Sequence, residues 1–238
     1  MVYQTVFKRY ELKYTLTRLQ KKQLLEIMAP YMTPDQYGRT TIRNLYYDTD
    51  DYRLIRHSLE KPIYKEKLRL RSYRRVSHTD PVFVELKKKY EGVVYKRRLS
   101  LPYEKALSWL GGDPSPRDTQ IAHEINYFLH FYPELHPTVY LSYEREAYHN
   151  GDFRITFDEN LLSRSTDLTL DADPFGVSLL PEDQVLLELK CNGGIPLWLT
   201  QFLTKNHIYK TPFSKYGMAY QRLLYQKENH YGTVQRTV

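Results

Sequence analysis

Polar and apolar residues alternate most regularly over residues 64–73, where Lys65, Lys67, Arg69 and Arg71 interleave with Glu66, Leu68, Leu70 and Ser72. Successive side chains of a strand point to opposite faces, so this spacing predicts a strand with four cations on one face and two leucines on the other. Residues 82–89 repeat the scheme, with Val82, Val84 and Leu86 opposing Glu85, Lys87 and Lys89. A turn at Glu91-Gly92 leads to a third strand in which Lys96 and Arg98 share a face.

Other strands are predicted over residues 2–15, 40–47, 138–149, 152–158 and 184–190, the middle pair closing as a hairpin around Asn150-Gly151. Nearly every strand has an ionic face: Arg9, Glu11 and Lys13; Tyr143 and Arg145; Arg154, Thr156 and Asp158; Leu186, Glu188 and Lys190. Helical spacing predicts a helix capped by Thr17 and running to about Tyr31, with Leu24, Leu25, Ile27 and Met28 inward. A short helix starts at the acid-rich residues 48–51 and buries Tyr52, Ile55 and Leu59. Further helices cover residues 102–110, ended by Gly111-Gly112, then Asp118 to about Tyr132, and Pro196 to about Asn206. A last one begins near Ser214 and carries Met218, Tyr220, Leu223 and Leu224. Pro34-Asp35 reads as a turn, residues 161–183 as mostly loop, and the tail from Glu228 as polar and frayed. No repeat or linker divides the chain, which reads as one domain over residues 1–238.

Charge sharpens this picture. Residues 64–98 hold twelve Lys/Arg and four Asp/Glu, a net +8 against the formal +7 of the whole chain. Like charges side by side on a sheet repel, and an ordinary solvated face mixes signs. Cations gathered across neighbouring strands imply a polyanion lying against them. A sheet left flat would give this polar face to water, whereas a closed barrel gathers it into a tunnel and removes the sheet edges. The predicted fold class is therefore α+β: an eight-stranded antiparallel β-barrel with helices packed on its outside.

Composition adds limits. Hydrophobic content of 41% and charged content of 26% are globular values. Cys191 is the one cysteine, so no internal disulfide forms, which fits a reducing compartment. No apolar run reaches the 18 residues a membrane helix needs, and the expected location is cytoplasmic. The 23 tyrosines suit strands, and a pI near 9.2 favours acidic partners.

Nine short pieces then carry a resemblance: Arg9-Tyr-Glu-Leu-Lys13, Tyr46-Tyr-Asp-Thr49, Leu68-Arg-Leu-Arg71, Val84-Glu-Leu-Lys87, Tyr95-Lys-Arg-Arg98, Tyr143-Glu-Arg145, Phe153 to Asp158, Leu187-Glu-Leu-Lys190 and Phe213-Ser-Lys-Tyr216. In this order, from Phe7 to about Tyr220, they resemble the triphosphate tunnel metalloenzymes (the CYTH superfamily). Within these they resemble the VTC domain of the vacuolar transporter chaperone polyphosphate polymerases, here in a stand-alone, prokaryotic-type form. The resemblance implies a tunnel that holds a triphosphate in line with Mn²⁺ or Mg²⁺ and passes the γ-phosphoryl of ATP to polyphosphate, releasing ADP. Lys13, Arg69, Arg71, Lys87 and Lys215 would then be catalytic. Arg9, Lys96, Arg98, Arg145, Arg154 and Lys190 would bind substrate phosphates, and Glu188 with Glu11 would take the metal. Glu85 and Asp158 have weaker metal claims, because each can simply pair with a neighbouring cation.

These residue types suit phosphoryl transfer, which is mainly positioning and charge neutralisation. Arginine forks onto phosphate oxygens, and a hard divalent cation wants carboxylate oxygen. Tunnel hydrolases commonly begin Glu-x-Glu-x-Lys, yet Arg9 stands in the first of those positions, which favours holding a longer polyanion over activating water. The regulatory SPX domain and membrane helices of the eukaryotic complexes have no counterpart, so export would need a separate membrane protein. The alternatives are a tripolyphosphatase or nucleoside triphosphatase on the same scaffold, and a non-catalytic polyphosphate binder. A nucleic-acid partner is not expected. Chain length of the product, oligomeric state and base preference are not legible in the sequence.

Overall fold

The computed structural model describes residues 10–225. In chain order its elements are β1 (Tyr10–Thr17), α1 (Arg18–Met28), β2 (Thr33–Pro34), β3 (Thr40–Asp48), α2 (Arg53–Leu59), β4 (Tyr64–Ser72), β5 (Pro81–Tyr90) and β6 (Val93–Pro102). There follow α3 (Tyr103–Leu110), α4 (Gln120–Phe131), β7 (His136–Asn150), β8 (Phe153–Arg164), β9 (Val177–Ser178), β10 (Gln184–Cys191), α5 (Leu197–Lys205) and α6 (Lys215–Ala219). A π-helical stretch, Tyr220–Tyr225, continues α6.

Eight strands form one antiparallel path in the order β1-β10-β8-β7-β3-β4-β5-β6, with β2 added to β7 and β9 to β8. β1 and β5 stand six strands apart on this path, about 29 Å in a flat sheet at 4.8 Å per strand. Yet Lys87 Nζ on β5 lies 2.8 Å from Glu11 Oε2 on β1. The sheet must therefore curl until its cationic face meets itself. Among the described residues no ladder joins β1 to β6, so side chains, and not main-chain hydrogen bonds, bridge the seam. The eight-stranded tunnel is present, but full closure of its backbone is not.

The apolar faces are covered as the alternation requires. Leu68 and Leu70 of β4, Val82, Val84 and Leu86 of β5, and Leu101 of β6 pack under Trp109 of α3 and Ile125 and Phe128 of α4. Each fully buried leucine here contributes about 1.5–3 kcal/mol. Leu187 and Leu189 of β10 and Phe157 of β8 pack under Leu24 and Met28 of α1 and Phe202 of α5. Thr17 starts α1 through a capping box: its hydroxyl accepts from Gln20 N, and the Gln20 side chain accepts from Thr17 N.

The third apolar cluster lies on the inner face. Ile42, Tyr46, Val139, Leu141 and Leu186 surround Tyr216, Ala219 and Tyr220, and Ile55 of α2 joins them. Tyr46 stands opposite Arg69 and Leu186 opposite Asp158, so these residues share the face of the cations. Hence α6 packs against the inner face of the curl, apart from the helices on the outside. Its Tyr216 hydroxyl donates to Asp48 Oδ2 at 2.8 Å and pairs with Thr138 Oγ1 at 3.0 Å, while its ring stacks on Tyr46 at 4.6 Å.

Several boundaries differ from the sequence reading for local reasons. α2 begins at Arg53, because Tyr52 adopts φ 56° and Asp48 caps the helix from the end of β3. The Asp48 carboxylate accepts from Leu54 N at 2.8 Å and Ile55 N at 3.0 Å, and Thr49 N adds a third bond at 2.9 Å. Thr119, not Asp118, caps α4, since its hydroxyl accepts from Ala122 N and Asp118 turns to His123. Ile27 of α1 is exposed, Thr33–Pro34 pairs with β7, and the turn begins at Asp35, whose carbonyl accepts from Gly38 N at 3.4 Å. β8 runs on to Arg164, past an irregular step beside Asn160 at φ 50°. The segment after it returns close to β8 at Gly176, where φ is +142° and an added Cβ would stand 2.3 Å from Ser163 O. The predicted strand residues 2–9 and the tail from 228 lie outside the described residues.

The Asp48–Tyr216 pair ties β3, α2 and α6 together, and its loss should be costly. Tyr216→Phe is expected to lower stability by about 1–2 kcal/mol, and Asp48→Ala, which orphans three amide donors as well, by about 2–4 kcal/mol. Urea unfolding midpoints of the two variants check the order; equal small shifts would show that α6 is not anchored this way.

Candidate active site

Strand register brings the bore together in two ionic halves. In the first, Glu85 of β5 stands between Arg69 of β4 and Arg98 of β6. Arg69 donates from Nε and Nη2 to Glu85 Oε2 at 2.9 and 2.7 Å, and from Nη1 to the Tyr46 hydroxyl at 2.8 Å. Arg98 Nε and Lys96 Nζ reach Glu85 Oε1 at 2.7 Å each, and Arg71 Nε lies 3.8 Å from Oε2. Glu85 is wholly buried. Burial opposes its ionisation, but Arg71, Arg69, Lys96 and Arg98 together hold its carboxyl well below the usual range. Arg71 is fixed further by Asn44 Oδ1 at 2.8 Å and the Tyr143 hydroxyl at 3.2 Å.

The second half is built on Asp158 of β8 and Glu188 of β10. Arg145 of β7 forks onto Asp158 at 2.6 and 2.7 Å, and Lys215, the first residue of α6, approaches the same carboxylate at 2.6 Å. Glu188 takes Lys190 at 2.9 Å, Arg145 at 3.4 Å and Lys13 of β1 at 3.7 Å. Burial works against the Glu188 charge, and these cations with Lys215 overcome it, so its pKa falls well below the ordinary value. Glu11 is likewise desolvated, yet Lys87 beside it pulls its pKa down to about 2.

Two lysines bridge the halves at the start of α6. Lys13 Nζ donates to Phe213 O at 2.8 Å, and Lys67 Nζ to Ser214 Oγ at 3.3 Å. Lys67 forms no ion pair among the described residues. Burial, then repulsion from Lys13, Lys87, Lys65 and Arg69, lowers its pKa to about 7, and burial lowers Lys13 to about 8 despite Glu188. The Tyr143 phenol, between Arg71, Arg145 and Lys215, also falls to about 8 although burial alone would raise it. Lys67 is thus a desolvated cation with no carboxylate of its own among the described residues, and an anion in the bore would supply the counter-charge.

Of the residues singled out from the sequence, Lys13, Arg69, Arg71, Lys87, Lys96, Arg98, Arg145, Lys190 and Lys215 converge on this inner face, with Glu11 and Glu188 among them. Arg154 faces the same side but lies at the rim, partly exposed and paired with Asp35 at 3.1 Å. Arg9 is outside the described residues. Lys67 was visible in the β4 row but carried no role there. Asn44 and Tyr46 were missed, because only the register of β3 against β4 places them beside Arg71 and Arg69. Aromatic rings also face the cations: Arg98 stands 4.2 Å over Phe83 and Lys215 4.6 Å over Tyr143.

The donor set fits a divalent cation that arrives with phosphate. Glu11 and Glu188 are close enough to oppose each other's ionisation, but both are engaged by lysines, and no group of three or more His, Cys, Asp or Glu forms a cage among the described residues. Magnesium-like ions commonly bind through one or two carboxylates, waters and substrate phosphates, and two carboxylates suffice for that. No helix among the described residues is long and apolar enough to cross a membrane.

Comparison with solved structures supports the architecture. A candidate adenylate cyclase from Bacillus halodurans superposes with a TM-score of 0.56 at 16% identity, over 87% of this chain and 96% of that one. HpAC1 from Hippeastrum, a candidate adenylyl cyclase that reveals a dominant triphosphatase activity, gives 0.58 at 14% identity, over 92% and 97%. Comparison with curated protein sequences gives no match. The VTC domain model matches residues 8–224, nearly the whole length. With its curled eight-stranded sheet and cationic inner face, the chain belongs to the VTC domain family.

Proposed function

We propose that this protein is a polyphosphate polymerase, moving the γ-phosphoryl of ATP onto the end of a polyphosphate chain in the bore and releasing ADP. The observation that carries the reading is the distribution of cations. Lys65, Lys67, Arg69 and Arg71 extend along about 20 Å of one strand, at 3.3 Å per residue, and the opposite wall repeats the charge. A linear polyanion matches such a row better than a compact one does. In this reading a terminal oxygen of the chain attacks the γ-phosphorus, the bond to the β–γ bridging oxygen breaks, and ADP leaves with that electron pair. Arg69, Arg71, Lys13, Lys87 and Lys215 hold and neutralise the transferring group, with Lys67 added to them. Lys96, Arg98, Arg145 and Lys190 hold neighbouring phosphates, Arg154 extends the lining at the rim, and Arg9 binds substrate phosphate as the family motif implies. Glu188 and Glu11 would hold Mn²⁺ or Mg²⁺, which when bound offsets charge on phosphate oxygens. The paired carboxylates also favour a second reading, hydrolysis of tripolyphosphate or a nucleoside triphosphate.

Pure protein with ATP and Mn²⁺ should yield acid-stable polymer and matching ADP. Arg71→Ala and Glu188→Gln should each lower the rate about 10²-fold or more. Phosphate without polymer would select the hydrolase, and neither product with tripolyphosphate still bound would leave a binding module.

A pH dependence follows from Lys67. Its pKa falls from 10.5 unfolded to about 7 in the ligand-free fold, so between these values the unfolded chain binds more protons. Stability of the ligand-free protein should therefore rise with pH through that window. A bound polyphosphate recharges the lysine, so binding takes up protons and weakens as pH climbs from 7 to 9. Titration calorimetry in buffers of different ionisation heat should show proton uptake at pH 8, reduced in Lys67→Arg. No uptake by the wild type would remove Lys67 from the binding surface.

A further inference from the structure

On the outer face of the same sheet, Ser72 of β4, Arg43 of β3 and Ser142 of β7 stand directly opposite one another. All three are buried, with Arg43 only 6% exposed and each serine 1%. Arg43 Nε, Ser72 Oγ and Ser142 Oγ lack any hydrogen-bond partner among the described residues, and so does the hydroxyl of Tyr140, two residues before Ser142. These are neighbours in one row, and buried polar atoms are rarely left unmatched.

The local charge is one-sided. Arg43 forms no ion pair among the described residues. Arg164 of β8, opposite Tyr140, lies 3.5 Å over the Tyr140 ring and spends its guanidinium on the carbonyls of Asp167, Phe175 and Thr169. Arg43 is therefore a buried cation with no carboxylate partner among the described residues. The acid nearest along β7, Glu144, is held by Arg39 at 2.7 Å. An isolated buried charge is strongly unfavourable, which makes a missing counter-anion the natural complement.

Open space reaches the row at its Ser142 end. Ser142 lines an outer cavity of about 470 Å³, with Thr41, Asn160, Pro174 and Ser178 around it. Neighbouring strands lie about 4.8 Å apart, so the two serines bracket Arg43 across about 10 Å. A tetrahedral anion takes hydrogen bonds of about 2.7–3.0 Å from hydroxyls and guanidinium alike, and this row supplies both donor types.

We propose that the Ser72–Arg43–Ser142 row is a second phosphoryl-binding site, on the outer wall and separate from the bore. Arg43 supplies the charge and the two hydroxyls supply orienting hydrogen bonds. The ligand is a single tetrahedral oxyanion, either free orthophosphate or the terminal phosphoryl of a polyphosphate chain. This site stands whether the bore polymerises, hydrolyses or only binds.

Crystals of the full chain soaked in tungstate test it directly. The expected result is an anomalous peak against Arg43, Ser72 and Ser142, distinct from any in the bore and lost in Arg43→Met. Displacement of that peak by orthophosphate would identify the free ion as the ligand, and displacement by polyphosphate alone would identify a chain end. Arg43→Met should leave turnover in the bore unchanged and should not lower the melting temperature in phosphate-free buffer, since it removes an unmatched charge. A wild-type soak with peaks in the bore and none at the row overturns the proposal, whether or not the variant folds. So does a peak at the row that persists in Arg43→Met.

Discussion

Gathering cations inside a protein requires buried carboxylates to hold them. Glu85 makes this plain: wholly enclosed, it meets Arg69, Arg71, Lys96 and Arg98 from the two strands that flank its own. Without it those four charges would repel at close range in a poorly solvated space. Asp158 and Glu188 do the same for Arg145, Lys215, Lys190 and Lys13. Each carboxylate is kept ionised by its neighbours, so the bore is an ionic lattice that remains net positive. An anion entering it would meet guanidiniums already aimed, with little rearrangement left to perform.

This lattice explains why the VTC fold uses a curled sheet. Alternation puts charge on one face and leucine, valine and isoleucine on the other, and curling gives each face its own environment. Helices α1, α3, α4 and α5 cover the outside, while α6 brings Lys215 and Tyr216 in. The seam between the ends of the sheet is spanned by Lys87 and Glu11, so the ionic lining also helps to hold the tube in shape.

Much of this was legible in the sequence because β-strand periodicity is strict. The rows Lys65 to Arg71, Glu85 to Lys87 and Glu188 to Lys190 required only counting by two, and the family motifs added their order. What stayed hidden depends on contacts between distant segments. Asn44 and Tyr46 read as ordinary strand residues until register set them against Arg71 and Arg69. The place of α6 was equally opaque, since Tyr216 looks like any apolar helix position until Asp48 is known to be waiting for its hydroxyl. Boundaries moved where one residue replaced another in a local role, as Thr119 did for Asp118.

The position of α6 bears on how the protein is made. β1 pairs only with β10 in the main path, so its strand partner is made more than 150 residues after it, and Lys13 bonds to Phe213 across 200 positions. As the chain leaves the ribosome, β4, β5 and β6 can pair early, because they follow one another. The opposite wall cannot assemble until residue 191 has emerged, nor the inner helix until residue 215 has done so. A nascent chain thus carries its basic hairpins before it has a bore, and the ionic lattice closes only after residue 215 has emerged.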